Sequence, residues 1–173
     1  MMVENIDIFR ALCQVWKPEW QGMVMAELSY AAGKRTAPLD IQVKEGRLVK
    51  IVASYGEAGE RMEMLLFHTK GNNRSYKMER EGDFWQSFDA PAVREFSLSL
   101  GDHNEIHQGE RPIVSGFQLL WTLRQKISAS SMKIRFHSSI YAGENVYVKQ
   151  DEDAWKGYTD HLCFTCWVSA CPK

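Results

Sequence analysis

Three residues near the middle of the chain have types and spacing suited to acid–base chemistry beside a carbonyl group. Asp102 and His107 lie five positions apart, and Gly116 opens an apolar segment shortly after them. A carboxylate and an imidazole that grip one water molecule can manage both of its proton transfers, although the spacing leaves open which of them is the base. An amide N–H at a helix start favours negative charge on a nearby carbonyl oxygen. Asp102, His107 and the N–H of Gly116 are therefore candidates for a catalytic site. The alternatives are that Asp102, which follows a helix-ending glycine, is a capping residue and that His107 is a solvated loop histidine.

Two predicted helices position these residues. Asp89 is a candidate N-cap for a helix that stops at Gly101, directly before Asp102. Pro112 precedes the next helix, for which Ser115 is the candidate N-cap and which runs over residues 116–127. This second helix is apolar nearly all round, so we expect other parts of the chain to surround it.

The rest of the chain is predicted to be one helix and a series of antiparallel strands. Apolar residues at helical spacing predict a helix over residues 3–16, and residues 83–88 are predicted to join the two halves of the chain. The first half carries no obvious chemistry. Its predicted strands are 23–30, 39–44, 47–55, 61–69 and 75–78; three more are predicted to close the chain, at 132–141, at 145–150 extended toward residue 155, and at 158–170.

Composition excludes several classes of protein. Of 173 residues, 45% are apolar and 25% charged, with a formal net charge of -1, which is typical of a soluble globular protein and gives no basic patch for nucleic acid. We find no secretory signal and no apolar run long enough to span a membrane, so a cytoplasmic location is expected. Cys163 and Cys166 fall on a predicted strand and would face opposite sides, so we expect no metal site.

Three segments resemble one family. Residues 101–107, Gly-Asp-His-Asn-Glu-Ile-His, are similar to the Gly-Asp-x-Asn-Pro-x-His signature of the MaoC-like dehydratases, the (R)-specific enoyl-CoA hydratase group. Residues 112–120 resemble the Pro-(Ile/Val)-x-x-Gly start of that family's long central helix, and residues 136–144 resemble its following strand. The resemblance covers about residues 88–170. It implies an α+β hot-dog fold, in which an antiparallel sheet wraps around a long buried helix.

The resemblance also implies an activity and a set of site residues. The activity is that of a hydro-lyase that hydrates or dehydrates an acyl thioester of coenzyme A or acyl carrier protein, without metal or redox cofactor and as a homodimer. Asp102 and His107 align with the family's catalytic pair, and Gly116 aligns with its oxyanion contact. The residues expected to bind substrate or brace the loop are Asn104, Pro112, Ser115 and Phe117.

The sequence departs from the family in three places and leaves alternatives open. Glu105 replaces the usual proline, the segment from His107 to Pro112 is short, and the first half does not match. We divide the chain into residues 1–85 and residues 86–173. The first is an N-terminal helix plus antiparallel strands and a candidate degenerate hot-dog unit that lacks the hot-dog helix, and the second is the MaoC-like unit. A non-catalytic acyl-thioester binding module is an alternative. A hot-dog thioesterase ranks last, because residues 116–127 contain no acid.

Overall fold

Within the residues that the structure describes, the chain forms three α-helices and nine strands. A computed structural model describes residues 6–69, 77 and 79–169. The helices within these ranges are α1 (Ile6–Gln14), α2 (Ala90–Leu100) and α3 (Gly116–Lys126), with 3-10 turns at Pro18–Trp20 and Glu105–His107. The strands are β1 (Val24–Ala31), β2 (Asp40–Lys44), β3 (Val49–Ser54), β4 (Arg61–Phe67), β5 (Asp83–Ser87), β6 (Ser131–Phe136), β7 (Asn145–Asp151), β8 (Ala154–Tyr158) and β9 (Leu162–Ser169).

All nine strands join one antiparallel sheet in the order β2-β3-β4-β1-β6-β9-β8-β7-β5. The two halves meet where β1 pairs with β6, with Leu28 opposite Ile134. On each side of this pair the order repeats, since β1-β4-β3-β2 follows α1 in the chain as β6-β9-β8-β7 follows α3. The α+β prediction, with strands antiparallel throughout, is confirmed.

The first half of the chain has a helix packed on its own strands. Helix α1 contacts β3, and Phe9 of α1 stacks on Phe117 of α3 with ring centroids 5.4 Å apart. Helix α1 falls within the helix predicted over residues 3–16. The boundary predicted between residues 85 and 86 falls inside β5, which pairs with β7 of the second half. The division into two hot-dog units stays a prediction.

The central helix is enclosed, as its apolar composition predicts. Its side chains Phe117, Leu119, Leu120 and Leu123 are each at most 3% exposed. The core continues into the strands on both sides of the β1–β6 pair, where the buried side chains include Leu28, Ile51, Met62, Met64, Met132, Ile134, Cys163, Phe164 and Cys166. One core therefore spans both halves of the sheet.

The helix ends form as their residues predict. The Asp89 carboxylate accepts a hydrogen bond from the N–H of Ala92 at 2.7 Å, and Ser115 Oγ accepts one from Phe117 at 3.3 Å. Gly101 ends α2 in the left-handed region at φ 73°, where glycine is favoured. Among the helices described here, none is long and apolar enough to cross a membrane.

Two strand predictions are wrong and one is untested. Residues 83–88 were expected to form a junction, but Asp83–Ser87 is the edge strand β5. The chain closes with four strands and not three, because a turn at Glu152, φ 54°, folds β8 back on β7. That turn contains no glycine or proline, which explains why the pattern did not reveal it. The strand predicted over 75–78 lies outside the described residues, apart from residue 77.

Candidate active site

Asp102 and His107 face each other in the second half of the chain. Their side chains are buried, and Asp102 Oδ2 lies 3.5 Å from His107 Nε2. This separation is longer than a good direct hydrogen bond between nitrogen and oxygen. Gly101 turns the chain at the end of α2 to place the acid, and the 3-10 turn Glu105–His107 brings the imidazole back toward it. The predicted pairing of these two side chains is therefore seen in the structure.

Hydrogen bonds to the main chain determine which side-chain atoms of Asp102 and His107 remain available to bind a water molecule. His107 Nδ1 lies 2.7 Å from the carbonyl oxygen of Ile113. Because a carbonyl only accepts, Nδ1 carries the proton, and Nε2 of a neutral imidazole is an acceptor. Asp102 Oδ1 accepts the N–H of Asn104 at 3.0 Å, which leaves Oδ2 facing His107. When Asp102 is ionised and His107 is neutral, Asp102 Oδ2 and His107 Nε2 are two acceptors that one water molecule can satisfy with its two protons.

Asn104 braces the loop between the acid and the imidazole. It is 3% exposed, and its Nδ2 donates to the carbonyl of Met23 at 2.9 Å. Its Oδ1 accepts the N–H of Gly22 at 3.1 Å. Asn104 thus ties the loop to the first half of the chain, in agreement with the bracing role that its side-chain amide suggested.

Gly116 begins α3 and lines the same pocket as the acid and the imidazole. Across the described residues, its N–H has no hydrogen-bond partner. A Cβ at this position would lie 2.7 Å from Met25 Sδ and 3.0 Å from Phe136 Cζ. The absence of a side chain is therefore needed for packing, and the unpaired N–H is the kind of donor that stabilises a carbonyl oxygen.

Residues from both halves line this pocket. Of the predicted binding residues, Asn104, Ser115 and Phe117 are among them. Pro112 is buried beside the pocket but does not line it; its carbonyl accepts the N–H of Ala142 at 2.9 Å. The sequence reasoning missed the remaining wall. Its residues are Cys13, Trp16, Met23, Val24, Met25, Met64 and Leu66 from the first half, and Ile106, Ile113, Val114, Leu119 and Phe136–Ile140 from the second.

Other nucleophilic and basic side chains also line the pocket, among them Cys13 and His137. Burial, and the charge of Asp102 after it, raise the pKa of the Cys13 thiol far above its usual range, so the reactive thiolate is disfavoured. Burial and the neighbouring Arg135 lower the pKa of His137, whose Nε2 is 3.0 Å from Thr165 Oγ1. His103 is exposed and does not share the pocket.

No metal-binding group appears in the part of the chain that the structure describes. It contains no cluster of three or more His, Cys, Asp or Glu side chains that could hold an ion. Cys163 and Cys166 are both buried and lie on strand β9.

Solved structures share this fold at low sequence identity. A MaoC-like dehydratase from Phytophthora capsici has a TM-score of 0.53 and 14% identity over 92% of this chain and 75% of its own. The peroxisomal multifunctional enzyme type 2 of Drosophila melanogaster has a TM-score of 0.53 and 12% identity, and this chain spans 40% of it. An acyl-ACP thioesterase from Bacteroides thetaiotaomicron has a TM-score of 0.50 and 6% identity over 84% of this chain and 75% of its own.

The chain therefore has a MaoC-like hot-dog fold, as its motifs implied. No protein-family model matches the sequence, and no curated protein matches it significantly. Likeness at this level of identity establishes the fold, and dehydratases share that fold with thioesterases. The choice between their chemistries has to come from the site itself.

Proposed function

We propose that the protein is a hydro-lyase that adds water reversibly to the double bond of an enoyl thioester. The observation that carries the proposal is the facing pair of acceptors, Asp102 Oδ2 and His107 Nε2, 3.5 Å apart in a pocket with the free N–H of Gly116. Other proteins with this fold act on acyl thioesters, among them an acyl-ACP thioesterase. The largely apolar remainder of the wall suits a hydrocarbon chain.

In the proposed reaction, Asp102 and His107 transfer the protons as one water molecule adds to the double bond. The water oxygen attacks the β-carbon while the pair removes one of its protons. A proton then passes from the pair to the α-carbon, so that both side chains return to their starting state. As the β-carbon is attacked, negative charge gathers on the thioester oxygen, where the N–H of Gly116 and the amino end of α3 stabilise it. No metal or redox cofactor takes part in this scheme.

The test is hydration of crotonyl-CoA, followed as loss of its conjugated absorbance. We expect Asp102→Asn and His107→Ala each to reduce kcat/KM at least about a hundredfold, the lower range for removal of a general acid or base. Both changes leave the apolar core intact, so circular dichroism and the unfolding midpoint should show folded protein. Full activity in both folded variants would rule out the pair as the catalytic groups.

Thioester hydrolysis is a second candidate, because a thioesterase is among the proteins with this fold. Helix α3 offers no carboxylate to the pocket, since its wall residues are Gly116, Phe117 and Leu119. A thiol reagent separates the two reactions, since hydrolysis releases free coenzyme A and hydration does not. Binding of acyl-CoA in calorimetry without either reaction would instead favour a binding module.

Two further features belong to the proposal. The apolar wall comes from both halves of one chain, as the family's pairing of hot-dog units suggests, so a single copy already contains one such pair. We keep the expected homodimer as a proposal, to be tested by light scattering. A cytoplasmic location and the choice between coenzyme A and acyl carrier protein are likewise proposals.

A further inference from the structure

A short segment of the first half, Gln21–Met23, holds the loop that carries the acid and the imidazole. Two of its hydrogen bonds join Gly22 and Met23 to the side chain of Asn104, as described above. Two more come from the side chain of Gln21. The contacts are more than 80 positions apart in sequence, so they join the two halves of the chain at the site.

The carboxamide of Gln21 spans the main chain on both sides of Asn104. Its Nε2 donates to the carbonyl oxygen of His103 at 3.0 Å, and its Oε1 accepts the N–H of Glu105 at 3.0 Å. One planar group thus fixes two peptide units that lie between Asp102 and His107. Both distances are those of good hydrogen bonds.

The second bond exists because residue 105 is not a proline. The MaoC signature has proline at this position, and a proline has no N–H to donate while its ring fixes φ. Asn104 lies at φ -64° and ψ 119°, the extended region that a residue before proline adopts. Asn104 therefore already has a backbone conformation that is compatible with a proline at position 105.

We propose that Gln21 is a positioning residue for Asp102 and His107, and that its carboxamide supplies the restraint that a proline at position 105 would supply. The inference deepens the proposed hydration site and rests on it. Gln21 does not line the pocket, so it acts on the reaction through the loop and touches no substrate.

The experiment compares Gln21→Met, Glu105→Pro and the double variant. Methionine keeps the length of Gln21 but removes both hydrogen bonds, and we expect kcat for crotonyl-CoA to fall roughly tenfold with KM nearly unchanged. Glu105→Pro alone should keep kcat close to that of the original protein. Added to Gln21→Met, it should restore kcat to within about threefold of the original protein. Gln14→Met, at an exposed glutamine of α1, is the matched control and should be silent.

Amide hydrogen exchange gives a readout that does not depend on turnover. The N–H of Asn104 and of His107 both bond within the loop, and their exchange should speed up in Gln21→Met and slow again in the double variant. Unchanged exchange in Gln21→Met, or a double variant no slower than it, would overturn the inference. If exchange responds as expected while the original protein hydrates nothing, the positioning role stands and the proposed function fails.

Discussion

The imidazole of His107 has one nitrogen free for chemistry, because the main chain holds the other. The carbonyl of Ile113 binds Nδ1 at 2.7 Å, and Ile113 lies just before Ser115 and Gly116 at the start of α3. The same stretch therefore sets both the tautomer of the imidazole and the position of the free N–H. In the proposed reaction, proton transfer and oxyanion stabilisation would both depend on this one piece of backbone.

Gly116 can be tested by adding one methyl group. In Gly116→Ala the new Cβ would meet Met25 Sδ at 2.7 Å and Phe136 Cζ at 3.0 Å. We expect the free energy of unfolding to fall by about 1–3 kcal/mol, the usual cost of overpacking. Because the end of Met25 is flexible, Met25→Ala should relieve much of this cost. Urea unfolding of both single variants and the double should show a favourable coupling of about 0.5 kcal/mol or more.

Activity gives a second view of the same variants. The double variant should stay less active in crotonyl-CoA hydration than Met25→Ala alone, because the added methyl still crowds the N–H of residue 116. If the losses in the free energy of unfolding from Gly116→Ala and Met25→Ala were additive, there would be no steric clash between Met25 and the side chain at residue 116. Equal activities would argue against the N–H as the oxyanion contact.

At the scale of elements, short sequence patterns predicted the features that are formed by residues close together in the chain. The loop from Gly101 to His107 and the cap of α3 at Ser115 lie within fifteen positions, and both formed as their residues predicted. Strand β8 was missed because its turn at Glu152 carries no glycine or proline. The hydrogen bonds from Gln21 to the loop join segments that are far apart in sequence, so no short sequence pattern could predict them.

The N-cap of α2 offers a test of how elements position the acid. Asp89 caps the helix at one end, and the N–H of Asp102 bonds to the carbonyl of Ser97 at the other, at 2.9 Å. Asp89→Ala should lower the free energy of unfolding by about 1 kcal/mol, since one N–H loses its acceptor. The helix is 11 residues long, so the cap lies roughly 16 Å from the acid and kcat should hardly change.

Glu95→Ala is the matched control for the cap. It removes an exposed carboxylate from the middle of the same helix without removing an acceptor of the first turn. Guanidinium unfolding should show a smaller loss for this variant than for Asp89→Ala. Equal losses would mean that the Asp89 carboxylate contributes charge to the helix and no capping bond.

At the scale of the whole molecule, the two halves depend on the pairing of β1 with β6. The pairing brings Met25 and Met23 of the first half to a site whose acid and imidazole come from the second. On the opposite sheet face, Glu27 of β1 accepts from Arg135 Nη2 at 2.9 Å and lies 3.1 Å from Lys133 Nζ, both on β6. This cluster of three charges crosses the join between the halves.

The charge of Glu27 should make that join sensitive to acid. Burial raises the pKa of its carboxyl, but the hydrogen bonds from Arg135 and Lys133 outweigh it, and the net pKa lies below the ordinary 4.5. The unfolded chain therefore binds this proton more readily, so the contribution is complete above about pH 4.5 and is lost as pH falls through the lowered pKa. Because both cations are half exposed, we expect about 1 kcal/mol at most.

The measurement is the free energy of unfolding of the original protein and of Glu27→Gln between about pH 7 and pH 3. The original protein should be the more stable at neutral pH, and the difference should shrink as pH falls below about 4.5. Glu57→Gln, at an exposed turn position before β4, should give no such pH-dependent difference. If the difference in the free energy of unfolding between the original protein and Glu27→Gln stayed constant over the whole pH range, the charge of Glu27 would not stabilise the pairing of β1 with β6.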